Sequence, residues 1–249
     1  IRPRYISICA ADQRYFQGNR PPEVLAQKLP LALFHEAVGE VLHDPAQELM
    51  PGTFCVLLPG GVEPKEEYSN YRKDAFFRSS TADGFCQEVM SLDRRELLPV
   101  PCEDVEVYVL TEPLSVCCHA LRRLQGLRAI RPDARIGIWG DGPLGFMMAL
   151  VIHALLPENM IFIYGRHDEK LLLFTFANEC YNVNYSYPIQ CIDIAFECVG
   201  GEKSQNAIQQ ATDLLTPCGN IVLLGVSENA IPIYTRAWLE KGISIHGSS

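Results

Sequence analysis

Residues 135–145, Arg-Ile-Gly-Ile-Trp-Gly-Asp-Gly-Pro-Leu-Gly, decide the fold of this chain. The apolar run Arg135–Trp139 predicts a buried strand, and the glycines after it have the spacing G-x-G-x-x-G. A helix is predicted over 144–156 and a second strand over 160–164, which makes a β-α-β unit with parallel strands. The alternation continues with helices over 169–178 and 204–215 and strands over 192–197, 220–224 and 243–246. This pattern predicts a doubly wound, parallel α/β sheet.

The glycine turn has the features that a bound pyrophosphate requires. Gly140 permits a tight turn, Gly142 has no side chain to block the phosphates, and Gly145 lets helix and strand pack closely. Pro143 and Leu144 begin the helix, whose first N–H groups and partial positive charge attract phosphate. The turn therefore predicts a dinucleotide site. The alternative is an ordinary strand-to-helix turn.

The end of the second strand bears on which dinucleotide is bound. An acidic residue there bonds the ribose hydroxyls of NAD, but this sequence has Gly165 followed by Arg166. No carboxylate would repel a 2′-phosphate, and Arg166 is suited to pairing with one, so we expect NADP(H). The alternative is that Arg166 is only a solvated charge and that Asp168 serves NAD(H). Asp168 is better placed to cap the following helix.

Later strand ends are expected to line the same site, because open parallel sheets bind ligands at the carboxyl edge of their strands. One strand closes at Glu197-Cys198-Val199-Gly200 and another at Leu224-Gly225-Val226. We assign Cys198, Val199 and Gly225 to the cofactor site, with the Cys198 thiol packed rather than reactive.

Residues 1–107 have a different pattern, with short apolar runs separated by Pro and Gly. This indicates an irregular β barrel or sandwich without intervening helices. A helix over 110–124 follows. We place a β-rich domain at 1–128 and the dinucleotide-binding domain at 129–249. The candidate strands of the first domain are 4–8, 38–43, 53–58 and 85–90.

Composition restricts the possible partners. The 249 residues are 48% hydrophobic and 20% charged, and the net charge of −9 argues against a nucleic-acid partner. No apolar run reaches the roughly 18 residues of a membrane span. Ten cysteines form no C-x-x-C pair and no secretory signal precedes them, so we expect mostly buried thiols in a reducing, cytoplasmic compartment. Both ends resemble the interior of a longer protein, and we expect a truncated chain.

Four residues of the first half form a candidate zinc-binding set. Cys9 follows a predicted strand, His35 and Glu36 follow an apolar run, and Glu112 begins the helix. Thiolate, imidazole and carboxylate suit zinc and leave a position for a substrate oxygen. Taken singly, each residue is more often a core cysteine or part of a surface pair.

Three motifs, in order ahead of the glycine turn, resemble those of the zinc-dependent medium-chain alcohol and polyol dehydrogenases. The family motifs are C-G-[ST]-D, G-H-E-x-x-G and E-P-L. The resemblance implies a GroES-like catalytic domain followed by a Rossmann domain. The matching segments are Cys9–Asp12, Phe34–Gly39 and Glu112–Val116.

The same resemblance implies roles for individual residues. Zinc would be held by Cys9 and His35, with Glu36 and Glu112 as the carboxylate positions. The position of Tyr15, six residues after Cys9, resembles the pattern of the sorbitol dehydrogenase branch. Tyr15 is therefore the remaining catalytic candidate. An acid at the position of Asp12 generally orients other groups in this family.

The chain departs from the family pattern at two places. Ala11 stands where a hydroxyl usually relays the substrate proton, so the relay must use Tyr15, a bound water, Glu36 or another group. Residues 56–85 contain no cysteine, whereas many family members hold a structural zinc in a four-cysteine lobe. We therefore expect one catalytic zinc and no structural zinc.

Ser7–Phe16 and Phe34–Glu40 are most similar to the ribulose-5-phosphate reductases. That group uses NADPH and zinc to make ribitol 5-phosphate for teichoic acids and capsules, beside a cytidylyltransferase that makes CDP-ribitol. The resemblance thus implies reduction of D-ribulose 5-phosphate, a possible cytidylyltransferase partner and a homo-oligomer, for which strand 243–246 is a candidate edge. The substrate phosphate requires a cation, and the candidates are Arg14, Arg20, Lys65, Arg72, Lys73 and Arg78.

Three other functions compete with this interpretation. One is a sorbitol- or threonine-type polyol dehydrogenase that acts on an unphosphorylated substrate. The others are a dinucleotide sensor without catalysis and a zinc-free relative of the quinone reductases. The Cys9, His35 and Glu112 set argues against both of the latter.

Overall fold

The chain divides into two compact units, Ile1–Pro113 and Leu114–Ser249. The domain boundary that we predict between residues 128 and 129 lies outside the described residues, and so do the phosphate-site candidates Lys65 and Lys73. The structure is a computed structural model, and it describes residues 1–60, 69–72, 75–127, 130–185 and 191–248.

The first unit contains a four-stranded antiparallel sheet in which the strands follow chain order. Successive residues of the second strand enter different clusters, as the two-residue period of a strand requires. Val38 packs with Val56 and Val105, whereas Ala37 packs with Leu57 and Phe85. The strands are β1 (Arg2–Ser7), β2 (Glu36–Glu40), β3 (Phe54–Leu57) and β4 (Leu97–Pro99).

Two short helices, α1 (Ala10–Phe16) and α2 (Pro22–Lys28), connect β1 to β2. The prediction of a region without helices is therefore wrong here. Each helix has only seven residues, which are too few to show a helical period in the sequence, although each has a recognisable start signal. Asp12 accepts a hydrogen bond from the Cys9 N–H at the start of α1, and Pro22 occupies the first position of α2.

Residues 85–90 do not form the predicted strand. The N–H groups of Phe85 and Cys86 donate to the carbonyls of Phe34 and Leu33, at 2.7 and 3.0 Å. The Gln87 N–H then turns back to the Phe85 carbonyl at 2.8 Å, which bends the chain after two residues. The apolar pattern arose because Phe85 is a fully buried core residue in a turn.

The second unit contains a six-stranded parallel sheet with the strand order β10-β9-β8-β5-β6-β7. The predicted doubly wound α/β fold is confirmed. The helix α3 (Thr111–Leu127) begins with the last three residues of the first unit and continues in the second. The other helices of the second unit are α4 (Pro143–Leu155), α5 (Asp168–Leu171), α6 (Ser204–Leu214) and α7 (Thr235–Lys241). Its strands are β5 (Arg135–Trp139), β6 (Met160–Gly165), β7 (Glu179–Asn182), β8 (Ile192–Glu197), β9 (Leu215–Leu223) and β10 (Ser244–Gly247).

The core of this unit consists of two hydrophobic clusters, and residues on opposite faces of β5 enter different clusters. Ile136 and Ile138 pack with residues of α3 and α4. Trp139 packs in the other cluster with Ile208 of α6. Burial of β5 on both faces explains why its sequence is apolar along most of its length.

The predicted helix over 169–178 is wrong beyond Leu171, where α5 ends. Asn178 bonds to Ile161 through both its main chain and its side chain, at 2.9 and 2.7 Å. These bonds hold the chain against β6 and begin β7, a strand that the sequence did not reveal. Asp168 lies in the first turn of α5 rather than at its cap, which is His167.

The expectation of mostly buried thiols is also wrong. All ten cysteines are free, but six are exposed, Cys9 is half-buried, and only Cys55, Cys117 and Cys198 are buried. Among the described residues, no helix combines the length and apolar character needed to cross a bilayer.

Candidate active site

Cys9 lies at the turn between β1 and α1, in the N-cap position of the helix. Its N–H donates to Asp12 Oδ2 at 3.3 Å, which ties the turn to the first helical residues. Ser7 of β1 pairs with Glu36 of β2. This register brings the Cys9 turn next to the start of β2, where His35 and Glu36 lie.

The backbone that presents His35 has an unusual conformation. Phe34 has a φ of 72°, a left-handed value that a phenylalanine seldom adopts. Its N–H donates to Asp12 Oδ1 at 3.0 Å and its carbonyl accepts from the Phe85 N–H. Bonds on both sides therefore hold this turn and fix the direction in which His35 leaves the chain.

All four predicted zinc ligands come together in the first unit. Ligand atoms of His35, Glu36 and Glu112 lie within 4.8 Å of one another, and those of Cys9, Asp12 and His35 do so as well. His35 belongs to both groups, and its Nε2 lies 3.9 Å from Glu36 Oε1. The cluster thus joins a turn, a strand and the first turn of α3.

Asp12 supports this cluster from behind. It is 1% exposed, and its Oδ1 accepts hydrogen bonds from the Phe34 N–H and from Ser79 Oγ, the latter at 2.7 Å. The same oxygen lies 3.5 Å from His35 Nδ1. Because both carboxylate oxygens are engaged, Asp12 is suited to orienting His35 rather than to binding an ion. No local pattern marks Ser79, which sequence reasoning missed.

The electrostatics of the cluster favour a bound cation. Burial disfavours the charged form of His35, but the hydrogen bonds with Asp12 and Cys9 and the charges of Asp12 and Glu112 raise its pKa to about 10. Burial raises the pKa of Glu112 to about 7, against the opposing effect of His35 and with the help of Glu36 and Asp12. Two buried acids, Asp12 and Glu36, and the partly exposed Glu112 thus lie around one imidazole.

A divalent cation would relieve this crowding. A thiolate, an imidazole and carboxylates form a donor set that zinc accepts, and His35 belongs to both groups of closely spaced ligand atoms. The residues present therefore fit zinc.

Two of the remaining catalytic-domain candidates have distinct surroundings. Tyr15 is buried on α1, with the Arg20 guanidinium 4.6 Å and the Lys28 ammonium 5.9 Å from its ring centre. Arg78 instead donates twice to Glu96, at 3.1 and 2.7 Å. Arg78 is therefore committed to the fold, whereas Arg20 lies beside the helix that follows Cys9.

The glycine turn has the geometry of a phosphate cradle. Gly140 has a φ of 125°, which side chains disfavour. A Cβ at Gly145 would lie 1.9 Å from the Gly140 carbonyl oxygen, so only glycine allows α4 to pack here. A Cβ at Gly142 would meet nothing within 4 Å. Pro143 is the first residue of α4 and Leu144 the second.

Gly165 ends β6, and Arg166 is exposed directly after it. Asp168, the alternative ribose ligand, accepts a hydrogen bond from Asn182 Nδ2 at 2.6 Å. This bond ties Asp168 to the end of β7. The arrangement favours Arg166 as the side chain that a cofactor would meet.

The turns after β8 and β9 are joined by Glu197, a buried residue that the sequence identified only as a strand end. Glu197 Oε1 accepts from the N–H groups of Val199 and Gly200, at 2.8 and 2.9 Å. The Gly225 N–H donates to the Glu197 carbonyl at 3.0 Å. Cys198 packs in the core, and burial raises the pKa of its thiol well above the usual value, so only its main chain is available at this edge.

No family model matches the sequence. Ribulose-5-phosphate reductase 1 of Staphylococcus aureus is 43% identical, and the match covers all of this chain and 74% of that protein. The chain belongs to the ribulose-5-phosphate reductase family. A second ribulose-5-phosphate reductase, from Bacillus spizizenii, is 41% identical over all of this chain and 74% of its own length.

Solved structures share the fold of this chain. The crystal structure of S. aureus TarJ in complex with NADPH has a TM-score of 0.85 and 40% identity, covering all of this chain and 71% of that one. L-idonate 5-dehydrogenase of Escherichia coli shares the fold, with a TM-score of 0.82 at 22% identity over 98% of this chain and 73% of that one.

Proposed function

We propose that this protein reduces the ketone of D-ribulose 5-phosphate with NADPH to give D-ribitol 5-phosphate. The observation that carries the proposal is the cluster of Cys9, His35, Glu36 and Glu112, in a member of the ribulose-5-phosphate reductase family. The Gly165-Arg166 pair, with no acid at the ribose position, supports NADPH.

Three protein ligands, drawn from four residues of the first unit, would hold the zinc ion. Cys9 and His35 supply the soft donor and the nitrogen donor, and Glu36 or Glu112 supplies a carboxylate. Asp12, whose Oδ1 lies 3.5 Å from His35 Nδ1, would orient the His35 ring. When bound, the ion supplies Lewis-acid polarisation of the substrate carbonyl, which favours attack by hydride.

The proton that completes the new alcohol needs a donor, because Ala11 has no hydroxyl. We assign this role to Tyr15, which lies on the helix that Cys9 begins. Arg20, over the Tyr15 ring, is our candidate for the substrate phosphate, since a guanidinium matches phosphate oxygens well.

The second unit would bind the cofactor. The Gly140–Gly145 turn and the N-terminus of α4 receive the pyrophosphate, and Arg166 pairs with the 2′-phosphate. The main chain at Val199 and Gly225 lines the carboxyl edge of the sheet. We also propose one catalytic zinc and no structural zinc.

We further propose a homo-oligomer, because β10 lies at an edge of the described six-stranded sheet and offers its main chain for pairing. A cytidylyltransferase is the proposed consumer of ribitol 5-phosphate. Size measurement by light scattering tests the first proposal, and a coupled assay of CDP-ribitol formation tests the second.

The decisive experiment measures oxidation of NADPH by the full-length protein with D-ribulose 5-phosphate. D-ribulose without phosphate and NADH serve as controls. We expect activity with the phosphosugar and NADPH that a zinc chelator abolishes. Activity only with unphosphorylated polyols or ketoses would instead support a sorbitol-type dehydrogenase.

A further inference from the structure

Asp141, the second residue of the glycine turn, has a role that the phosphate cradle does not explain. Its side chain is 10% exposed and reaches across to the loop that follows β6. Oδ2 accepts from the main-chain N–H groups of Arg166 and His167, at 2.6 and 2.8 Å. The His167 ring adds a third bond through Nδ1 at 3.0 Å, in which the ring nitrogen must donate.

The same carboxylate occupies space beside Gly165. A Cβ at this position would lie 2.7 Å from both Cβ and Oδ2 of Asp141, and equally close to a methyl group of Leu171. A Cβ atom does not approach a non-bonded heavy atom this closely in folded proteins. Any side chain at 165, including the acid that would bind an NAD ribose, is therefore incompatible with Asp141 in its present position.

The main chain of Arg166 is held from its other side as well. Its carbonyl accepts from Asn184 Nδ2 at 3.0 Å and from Asn182 Nδ2 at 3.3 Å. The peptide groups on both sides of Arg166 are thus fixed. In the described part of the chain, no hydrogen bond or ion pair engages its exposed guanidinium.

A carboxylate near a 2′-phosphate would normally repel it, but three N–H donors bond to the Asp141 carboxylate and offset its negative charge. Two of those donors are peptide groups, which hold the loop without adding a competing cation. Burial would raise the pKa of Asp141, but these bonds lower it, so the side chain stays ionised and the bonds persist at neutral pH.

We propose that Asp141 is a positioning residue for the choice of coenzyme, an inference that rests on the NADPH assignment above. It excludes a ribose-binding acid from position 165 and holds the Arg166 main chain so that the guanidinium remains available to a 2′-phosphate. Selectivity for NADPH would thus depend on a side chain that does not itself bind the phosphate.

The test measures binding of 2′,5′-ADP and 5′-AMP to the full-length protein by calorimetry, with kcat and KM for NADPH and NADH alongside. Asp141→Ala should weaken 2′,5′-ADP binding by about tenfold and change 5′-AMP binding by less than about twofold. Glu169→Ala, which removes an exposed acid from the first turn of α5, directly after this loop, is the matched control and should change neither. Asp141→Asn retains one oxygen acceptor and should lie between Asp141→Ala and the unaltered protein.

A second set of variants tests the steric argument without depending on Asp141→Ala alone. Gly165→Asp should lower the melting temperature and weaken both coenzymes, because the new side chain collides with Asp141. The double variant Asp141→Gly/Gly165→Asp removes both Asp141 atoms that meet the new Cβ and leaves only the Leu171 methyl group beside it, so it should regain part of the thermal stability and prefer NADH. Gly165→Asp that is stable and already prefers NADH would overturn the steric part of the proposal.

The outcomes separate this proposal from the function on which it rests. If the unaltered protein prefers 5′-AMP and NADH, the proposed coenzyme is wrong and the role of Asp141 falls with it. If it prefers 2′,5′-ADP and NADPH but Asp141→Ala keeps the same preference, only the role of Asp141 is overturned.

Discussion

At the scale of single residues, the orientation of His35 depends on Asp12. We predict that Asp12→Asn lowers zinc affinity by about 10–100-fold, because the amide no longer supplies a charged acceptor for His35 Nδ1. Competition with a chelating dye measures the effect. Asp83→Asn is a suitable control, since Asp83 also accepts from a main-chain N–H of this region, that of Ala32, at 2.9 Å. Equal affinity in Asp12→Asn and the unaltered protein would contradict the orienting role.

The raised pKa of His35 predicts how zinc binding depends on pH. With a pKa of about 10, His35 in the metal-free protein is protonated at pH 7, yet a metal ligand must be neutral. Zinc binding must therefore release that proton, and affinity should rise by at least about tenfold per pH unit from 7 toward 10. Calorimetry in buffers of different ionisation enthalpy counts the protons. A pH-independent affinity between 7 and 9 would show that His35 is neutral without metal.

The stability of the metal-free fold changes with pH in the opposite direction to the zinc affinity. A pKa raised in the folded, metal-free protein means that the imidazolium stabilises this fold fully below pH 6.5, the ordinary value of histidine. That contribution is lost as the pH rises through about 10. Zinc binding and the stability of the metal-free fold therefore respond to pH in opposite directions over the same interval.

At the scale of elements, two substitutions in the glycine turn distinguish its role in packing from its role in cofactor binding. Gly145→Ala would place a Cβ 1.9 Å from the Gly140 carbonyl oxygen, so α4 must move, and we predict a lower melting temperature together with loss of NADPH binding. Gly142→Ala meets no protein atom within 4 Å and should keep its thermal stability. It should still lose NADPH affinity, because its methyl group would stand where the pyrophosphate approaches. Unchanged NADPH binding in Gly142→Ala would contradict this placement of the phosphates.

Elements whose identity depends on local pattern were predictable from the sequence. β5 and β8 have the bounds predicted for them, because central strands of a parallel sheet are largely apolar along their length. The segment at 85–90 was not predictable in this way. Its Phe85 is apolar for reasons of core packing, while its backbone bonds reach back to Phe34, a partner that no local pattern identifies.

The candidate site likewise contains some residues that short motifs identify and one that only a tertiary contact reveals. Cys9, His35, Glu36 and Glu112 were identified by resemblance to a family, and the structure brings their ligand atoms together. Ser79 was missed because its bond to Asp12 spans 67 residues of sequence. Supporting residues of this kind depend on tertiary contacts, which short motifs do not contain.

At the scale of the whole molecule, the two kinds of chemistry lie in separate units. The candidate zinc-ligand cluster belongs to Ile1–Pro113 and the glycine turn to Leu114–Ser249, each with its own sheet and core. We therefore predict that a chelator abolishes reduction of the substrate but changes NADPH affinity by less than about twofold, because no zinc ligand belongs to the cofactor turn. NADPH fluorescence titration of the chelated protein measures the affinity, and added zinc should restore turnover. Loss of NADPH binding on chelation would mean that the metal also maintains the cofactor unit.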